Sequence, residues 1–395
     1  MANLQTLKGF RDFLPENARK RQFVLDTLKK VFESYGFEPL ETPSLEYEEI
    51  LTGKYGDEGD KLMYRFEDNG KRKVAMRYDQ TVPLARAITQ YANALPFPFK
   101  RYQIQNVWRA ENTQKGRYRE FLQVDADIVG SSSPLADLEI LEMTTDCLNK
   151  LGFKSFTILV NSRKVFEKFD VDQKTISILD KEDKIGKDAV VKSLSEYLGR
   201  DKAEKFYSML KDVKPEEIPG SLQAILKNQN KLKLFFNPFL ARGLNYYTDL
   251  IFEVKIGEIE SGSIAGGGRY DKLIGIFSGK DIPAVGFSFG FDRLIEAMEQ
   301  LNLFPGNLNG NRILVAFADS DLQEKAMKIS AELRSKNLNA EFYLDDEPLE
   351  KQLKYADKKK IANVLIVNSN NFILKNMALG KQKEVTLEKL PNELE

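Results

Sequence analysis

The chain has 395 residues, 42% hydrophobic and 30% charged, a length that implies two or three domains and a composition with no run apolar enough to span a bilayer. Its 59 basic and 59 acidic side chains neither announce nor forbid nucleic-acid binding, and its single cysteine, Cys147, excludes a disulfide framework or a cysteine-rich zinc site. It contains no histidine, so catalysis must use carboxylates, arginines, backbone donors, an oxygen-held metal ion or groups that the substrate itself brings.

The start, MANLQTLKGFRDFLPENARK, lacks the apolar stretch of a signal peptide, so a cytoplasmic location is expected, with no membrane partner. Residues Asn17 to Tyr35 carry Val24, Leu28, Val31, Phe32 and Tyr35 at helical spacing, with Gly36 as the stop. Pro39 and Pro43 then forbid a helix and suit an extended edge segment. From Lys100 to Gly130 the pattern predicts two strands joined by a charged loop. In the second of them Leu122, Val124, Ala126 and Ile128 alternate with Phe121, Gln123, Asp125 and Asp127. Burying the first set aims the polar residues of the second at whatever occupies the opposite face.

Lys- and Glu-rich helical sequence from Ser162 to Leu234 reads as an insertion that interrupts one domain. Strands are expected to resume at NPFLARGLNYYTDLIFEVKIG, with a turn through GSIAGGGRYD and a strand running into a helix at PAVGFSFGFDRLIEAMEQ. The segment NLFPGNLNGN is the best linker in the chain. Beyond it strand and helix alternate through RILVAFAD and ANVLIVN, predicting a small α/β domain that ends on one more strand near EVTLEKL.

The densest chemistry lies in NVWRAENTQKGRYREFLQVDADIVG, with Arg109, Glu111, Lys115, Arg117 and Arg119 close together. Alone, such a cluster is more readily a solvated hairpin loop than a site where arginines on a strand meet phosphate oxygens. Its context decides. Arg109-Ala-Glu111 followed by Arg119-Glu-Phe121 resembles motif 2 of the class II aminoacyl-tRNA synthetases, and Lys115 to Phe121 resembles its histidine-specific form. Leu240-Ala-Arg242-Gly-Leu-Asn-Tyr246-Tyr247 and Ala265-Gly-Gly-Gly-Arg-Tyr-Asp271 resemble the two histidine-specific boxes. The run from Gly286 to Arg293 resembles motif 3, the proline segment around Pro43 motif 1, and Met76 to Arg86 the stretch that holds the substrate's amino group. The ordered set runs from about residue 5 to 390 and resembles the histidyl-tRNA synthetase family.

What the resemblance implies is an α+β catalytic domain of class II fold, a mixed and mainly antiparallel sheet flanked by helices, with a helical insertion and a C-terminal α/β domain. Its boundaries would be 1–161 and 236–301 for the two catalytic parts, 162–235 for the insertion, 302–310 for the linker and 311–395 for an anticodon-binding domain. The implied reaction makes histidyl-adenylate from L-histidine and ATP with Mg2+, then acylates the 3′ end of histidine tRNA, in a homodimer. Such chemistry needs positioning and positive charge more than proton transfer, which a histidine-free chain can supply.

By the same resemblance Arg109, Arg242 and Arg293 are the catalytic arginines, with Arg109, Glu111, Phe121 and Arg293 on ATP. Asp79, Thr81, Gln123, Asp127, Arg242, Tyr246 and Tyr247 would hold histidine, Asp127 and Tyr247 reading its imidazole. Gln114, Lys115 and Arg117, and the basic helix face of Lys351, Lys354 and Lys358, would contact tRNA. Asn245 stands where the family often has Asp, and Leu122 where it often has histidine. The alternative is an inactive paralogue that regulates histidine biosynthesis by binding another protein. Such relatives lack the C-terminal domain and the arginine box, and this chain retains both.

Overall fold

The structure, a computed structural model, describes residues 4–393 apart from 114–115, 229–231, 244–245, 258, 260–261, 307 and 309–311. It forms two compact units, Met1–Leu303 and Phe304–Glu395. Among the described residues no helix is long and apolar enough to cross a membrane.

The first unit opens with a helix, Pro15–Ser34, which buries the predicted stripe Val24, Leu28, Val31 and Phe32. Gly36 ends it in the left-handed region at φ 77°, a conformation that glycine adopts without penalty. The Gly36 N–H donates to Glu33 and that of Phe37 to Phe32, so two carbonyls that the helix leaves free are satisfied.

Eleven strands follow among the described residues of this unit. They are β1 (Glu38–Pro39), β2 (Leu45–Tyr47), β3 (Arg65–Glu67), β4 (Lys73–Met76), β5 (Phe99–Trp108) and β6 (Glu120–Val129). Then come β7 (Thr157–Ser162), β8 (Leu234–Phe236), β9 (Leu250–Lys255), β10 (Ala265–Arg269) and β11 (Ala284–Gly290). Eight of them make one sheet in the order β1-β5-β6-β11-β10-β9-β7-β8, and β2-β4-β3 make a small antiparallel sheet. The large sheet is antiparallel except at its two edges, where β1 runs parallel to β5 and β8 parallel to β7. That is the mixed, mainly antiparallel sheet expected. The helices of residues 163–228 intervene between β7 and β8, adjacent strands of one sheet.

Two expectations fail here. Residues 237–249 form no strand among those described; regular structure resumes only at Leu250, and Arg242 therefore sits on irregular chain. Its run of apolar and aromatic residues packs as a coil rather than pairing. The triple glycine is also not a turn but the middle of β10, a central strand paired on both sides.

The second unit is a five-stranded sheet built from β12 (Arg312–Phe317), β13 (Asn339–Phe342), β14 (Asn363–Val367), β15 (Phe372–Asn376) and β16 (Gln382–Val385), ordered β13-β12-β14-β15-β16. The helices Gln323–Ser335 and Leu349–Lys358 follow β12 and β13. Alternate residues of β12 bury on both faces, Ile313, Val315 and Phe317 on one and Leu314 and Ala316 on the other. The sequence foresaw one strand after β14 and the chain makes two, because the polar ends of NFILKN conceal β15.

Candidate active site

The register of the large sheet sets out a floor row by row. Arg101 on β5, Asp127 on β6, Gly286 on β11 and Gly268 on β10 lie opposite one another. The next row holds Gln103, Asp125, Ser288 and Gly266, and continues to Glu253 on β9. Side chains two residues apart on a strand share a face, so this one carries acids on one side and bare glycine backbone on the other.

The glycines are there because something lies against them. A Cβ on Gly266 would come within 2.3 Å of Arg242 Nη1, and one on Gly286 within 1.9 Å of Asp127 Oδ1. A Cβ on Gly268 would meet the Leu250 carbonyl at 2.2 Å and the Tyr247 ring at 3.0 Å. Any side chain at these positions would displace the functional groups above them.

Arg242 reaches the floor from the irregular segment, and its Nη1 donates to Glu253 Oε1 at 2.8 Å. The other oxygen of Glu253 accepts from Ser263. Arg109, at the end of the β5–β6 hairpin, donates from Nε to the Tyr78 carbonyl at 3.1 Å. Its guanidinium lies 4.4 Å from the centre of the Tyr78 ring and 5.1 Å from that of Phe121. Arg293 donates to the Ser263 carbonyl at 3.0 Å. Burial lowers its pKa and the charge of Arg117 lowers it further, so two cations face each other in a place suited to an anion. Arg117 is itself 3.5 Å from Glu111, whose carbonyl accepts from Arg119. Gln114, Lys115 and Asn245 lie outside the described residues.

The acids are buried and incompletely satisfied. Asp79, 4% exposed, accepts from the Tyr55 hydroxyl at 2.9 Å and the Val82 N–H at 3.1 Å, which leaves Oδ2 without a hydrogen-bond partner. Gln123 donates to Ser288 while its Oε1 has no partner, and Asp125 Oδ1 has none either. Burial pushes the Asp125 carboxyl up to about 7, against the charge of Arg101 and with those of Asp127 and Asp79. A set of acceptors lacking donors is what an ammonium group would complete. Thr81 opens the helix Thr81–Tyr91 beside Asp79, and Tyr246 interacts with both.

Asp127 is not free to face solvent. Tyr270 donates to Oδ1, and Arg101 Nη2 stands 2.6 Å from Oδ2. Tyr247 is buried with its ring centre 4.9 Å from that of Tyr246, which is 5.8 Å from that of Tyr270. Sequence reasoning missed Tyr55, Tyr270, Arg101 and Glu253. The expected basic face of the second unit is interleaved with acid: Lys351 pairs with Glu347 and Lys354 with Glu350, each one turn earlier, while Lys358 is exposed.

Known proteins are similar to this chain in sequence and fold. A family model for histidyl-tRNA synthetase matches residues 9–294, and one for an anticodon binding domain matches 308–395. The histidine–tRNA ligase of Cytophaga hutchinsonii is 38% identical over 98% of both chains, and that of Christiangramia forsetii 39% identical over 96% of both. The crystal structure of histidyl-tRNA synthetase from Nostoc sp. PCC 7120 superposes with a TM-score of 0.84 at 30% identity, covering 100% of this chain and 99% of that one. The chain belongs to the histidyl-tRNA synthetase family, class II aminoacyl-tRNA synthetases that ligate histidine to its transfer RNA.

Proposed function

We propose that the pocket above the glycine floor is where histidine and MgATP form histidyl-adenylate and where the histidyl group passes to the 3′ end of histidine tRNA. The observation that carries this reading is the unmatched polarity of the floor: Asp79 Oδ2, Gln123 Oε1 and Asp125 Oδ1 lack donors, near the arginines of the same pocket. In this reading Asp79, Thr81 and Gln123 take the histidine ammonium, and Asp127 and Tyr247 read the imidazole beneath Tyr246. Arg109 and Arg242 meet the α-phosphate and Arg293 the γ-phosphate. Phe121 stacks on adenine, with Glu111 at its amino group.

The histidine carboxylate attacks the α-phosphorus and pyrophosphate leaves, a step in which fixed cations stabilise charge as it develops. No trio of carboxylates capable of holding a metal gathers among the described residues, and Glu253 is engaged by Arg242. Magnesium would come as part of MgATP, held mostly by phosphate oxygens and water, and would supply positive charge at the leaving pyrophosphate.

The same reading assigns residues 162–235 as an insertion and 311–395 as the module that grips the anticodon arm, with Gln114, Lys115, Arg117, Lys351, Lys354 and Lys358 on tRNA. It also makes the chain a homodimer through the first helix and the segment around Pro43. Leu45, Tyr47 and Phe66, exposed on the small sheet nearby in sequence, favour a covered surface. ATP–pyrophosphate exchange screened over twenty amino acids tests the core of the proposal. Exchange dependent on histidine alone is expected; exchange with another amino acid, or with none, refutes it.

A further inference from the structure

The most unusual charge in the first unit lies beneath the pocket rather than in it. Arg101 is 0% exposed, on the strand next to Asp127 and directly opposite it in register. Its Nη1 donates to Gln103 Oε1 at 3.2 Å; its Nη2 lies 2.6 Å from Asp127 Oδ2, an ion pair without hydrogen-bond geometry, and neither Nη2 nor Nε has a hydrogen-bond partner. A fully buried guanidinium is expensive, and apolar residues of similar volume often stabilise a fold at least as well. Arg101 is also sealed from solvent, which disqualifies it as a phosphate ligand. Its carboxylate neighbours are Asp127 and Asp125.

We propose that Arg101 is a positioning residue for histidine selection: it keeps the Asp127 carboxylate anionic and turned in one orientation, so that the pocket presents an acceptor to the imidazole N–H. The inference rests on the reading of Asp127 as the imidazole contact. Around Asp127 stand Arg101 from β5, Asp125 on its own strand, Tyr270 just after β10, and Tyr247 from the segment before β9. From β11 comes Gly286, which contributes only the space that the carboxylate occupies. Burial alone drives Asp127 toward its neutral form, and Arg101 is the principal opposing charge. Without it, a protonated Asp127 would offer an O–H donor to a ring N–H, a mismatch. Arg101 also compensates Asp127's charge in advance, so the pair favours the neutral imidazole over the imidazolium.

Arg101→Met and Arg101→Lys, assayed by pyrophosphate exchange in the full chain, test this. Arg101→Met should raise the histidine KM about 10–100-fold at neutral pH, the worth of a hydrogen bond to a charged group, and leave the ATP KM nearly unchanged. The loss should shrink as pH rises and Asp127 ionises unaided, a recovery that mere loss of packing would not give. Arg101→Lys, which keeps a cation in the hole, should restore most of the affinity, and it carries the test alone if the Met variant does not fold. Because the chain contains no histidine, the ring nitrogens of bound 15N-histidine can be observed without background. The parent should hold one neutral tautomer and Arg101→Met a mixture. An unchanged histidine KM in Arg101→Met overturns the proposal, as does a raised one that neither high pH nor lysine relieves. A histidine KM equally insensitive to Asp127→Asn would instead show that the imidazole reading of Asp127 is at fault.

Discussion

Two glutamines mark the difference between the two sheets of this chain. Gln352, in the second unit, is fully buried and satisfied: it accepts from the Phe317 N–H and donates to the carbonyls of Phe317 and Glu347, at 2.8–3.0 Å. Gln123, on the floor of the first unit, leaves its oxygen with no partner, as do Asp79 and Asp125. None of the buried side-chain atoms without a partner among the described residues lies in the second unit. One sheet completes its hydrogen bonds internally and the other withholds them. Unmet polarity, rather than polarity itself, separates a binding floor from a structural core.

The comparison can be broken most forcefully at Arg242. Arg242→Ala should slow adenylate formation roughly 10²–10³-fold while ATP binding changes far less, as when one fixed donor to a developing charge is removed. Rapid-quench measurement of adenylate checks it, and a rate within a few-fold of the parent would take Arg242 out of the mechanism. Next in size, Asp127→Asn and Tyr247→Phe should each cut kcat/KM for histidine about 10–100-fold with ATP affinity nearly unchanged, because each leaves a buried partner unpaired. Steady-state exchange kinetics decide this.

The converse holds in the second unit. Gln352→Met strands the Phe317 N–H and should lower the stability of that unit by about 1–3 kcal/mol with no loss of adenylate formation. Calorimetry paired with the exchange assay sharpens the contrast, and a variant that lost adenylation would blur it. The smallest effect is a slope. The Asp125 carboxyl titrates near 7 when folded and near 3.9 when unfolded, so the folded chain holds a proton that the unfolded one has released. The stability this contributes is complete below about pH 4 and is lost as pH rises through about 7. Between pH 5 and 8 the ligand-free parent should therefore lose stability relative to Asp125→Asn, and even about 1 kcal/mol would move Tm by roughly 2 °C. Parallel melting curves would reject the assignment.

Much of the fold was legible because periodicity and punctuation act locally. The first helix showed its stripe and its Gly36 stop, and β5, β6 and β11 showed as strands. The failures share a cause. Glycines 266–268 read as a turn because glycine's freedom suits turns, yet here Gly266 and Gly268 serve its other property, the absence of a side chain where Arg242 and Tyr247 press down, and Gly267 leaves room for Gly286 and Phe287. Tyr270 and Tyr55 were invisible as partners of Asp127 and Asp79 because those contacts span 143 and 24 residues. Arg101 did leave a signal: Arg101, Gln103 and Gln105 alternate with Tyr102 and Ile104 along β5, the same period that exposed Asp125 and Asp127.

The glycine floor also bears on the order in which the molecule can become itself. Three consecutive glycines have little preference for a strand and large freedom to lose, so β10 cannot hold its shape alone and depends on β9 and β11. Those two flank it in the chain as well, in a meander whose β9 is tied to β7 across the insertion and whose β11 is tied to the hairpin of β5 and β6. The seam between the two halves of the sheet is thus held by the strand least able to stand alone. A nascent or partly melted chain would possess arginines, acids and tyrosines yet have no surface on which to arrange them, so competence should appear in a single event and vanish in one.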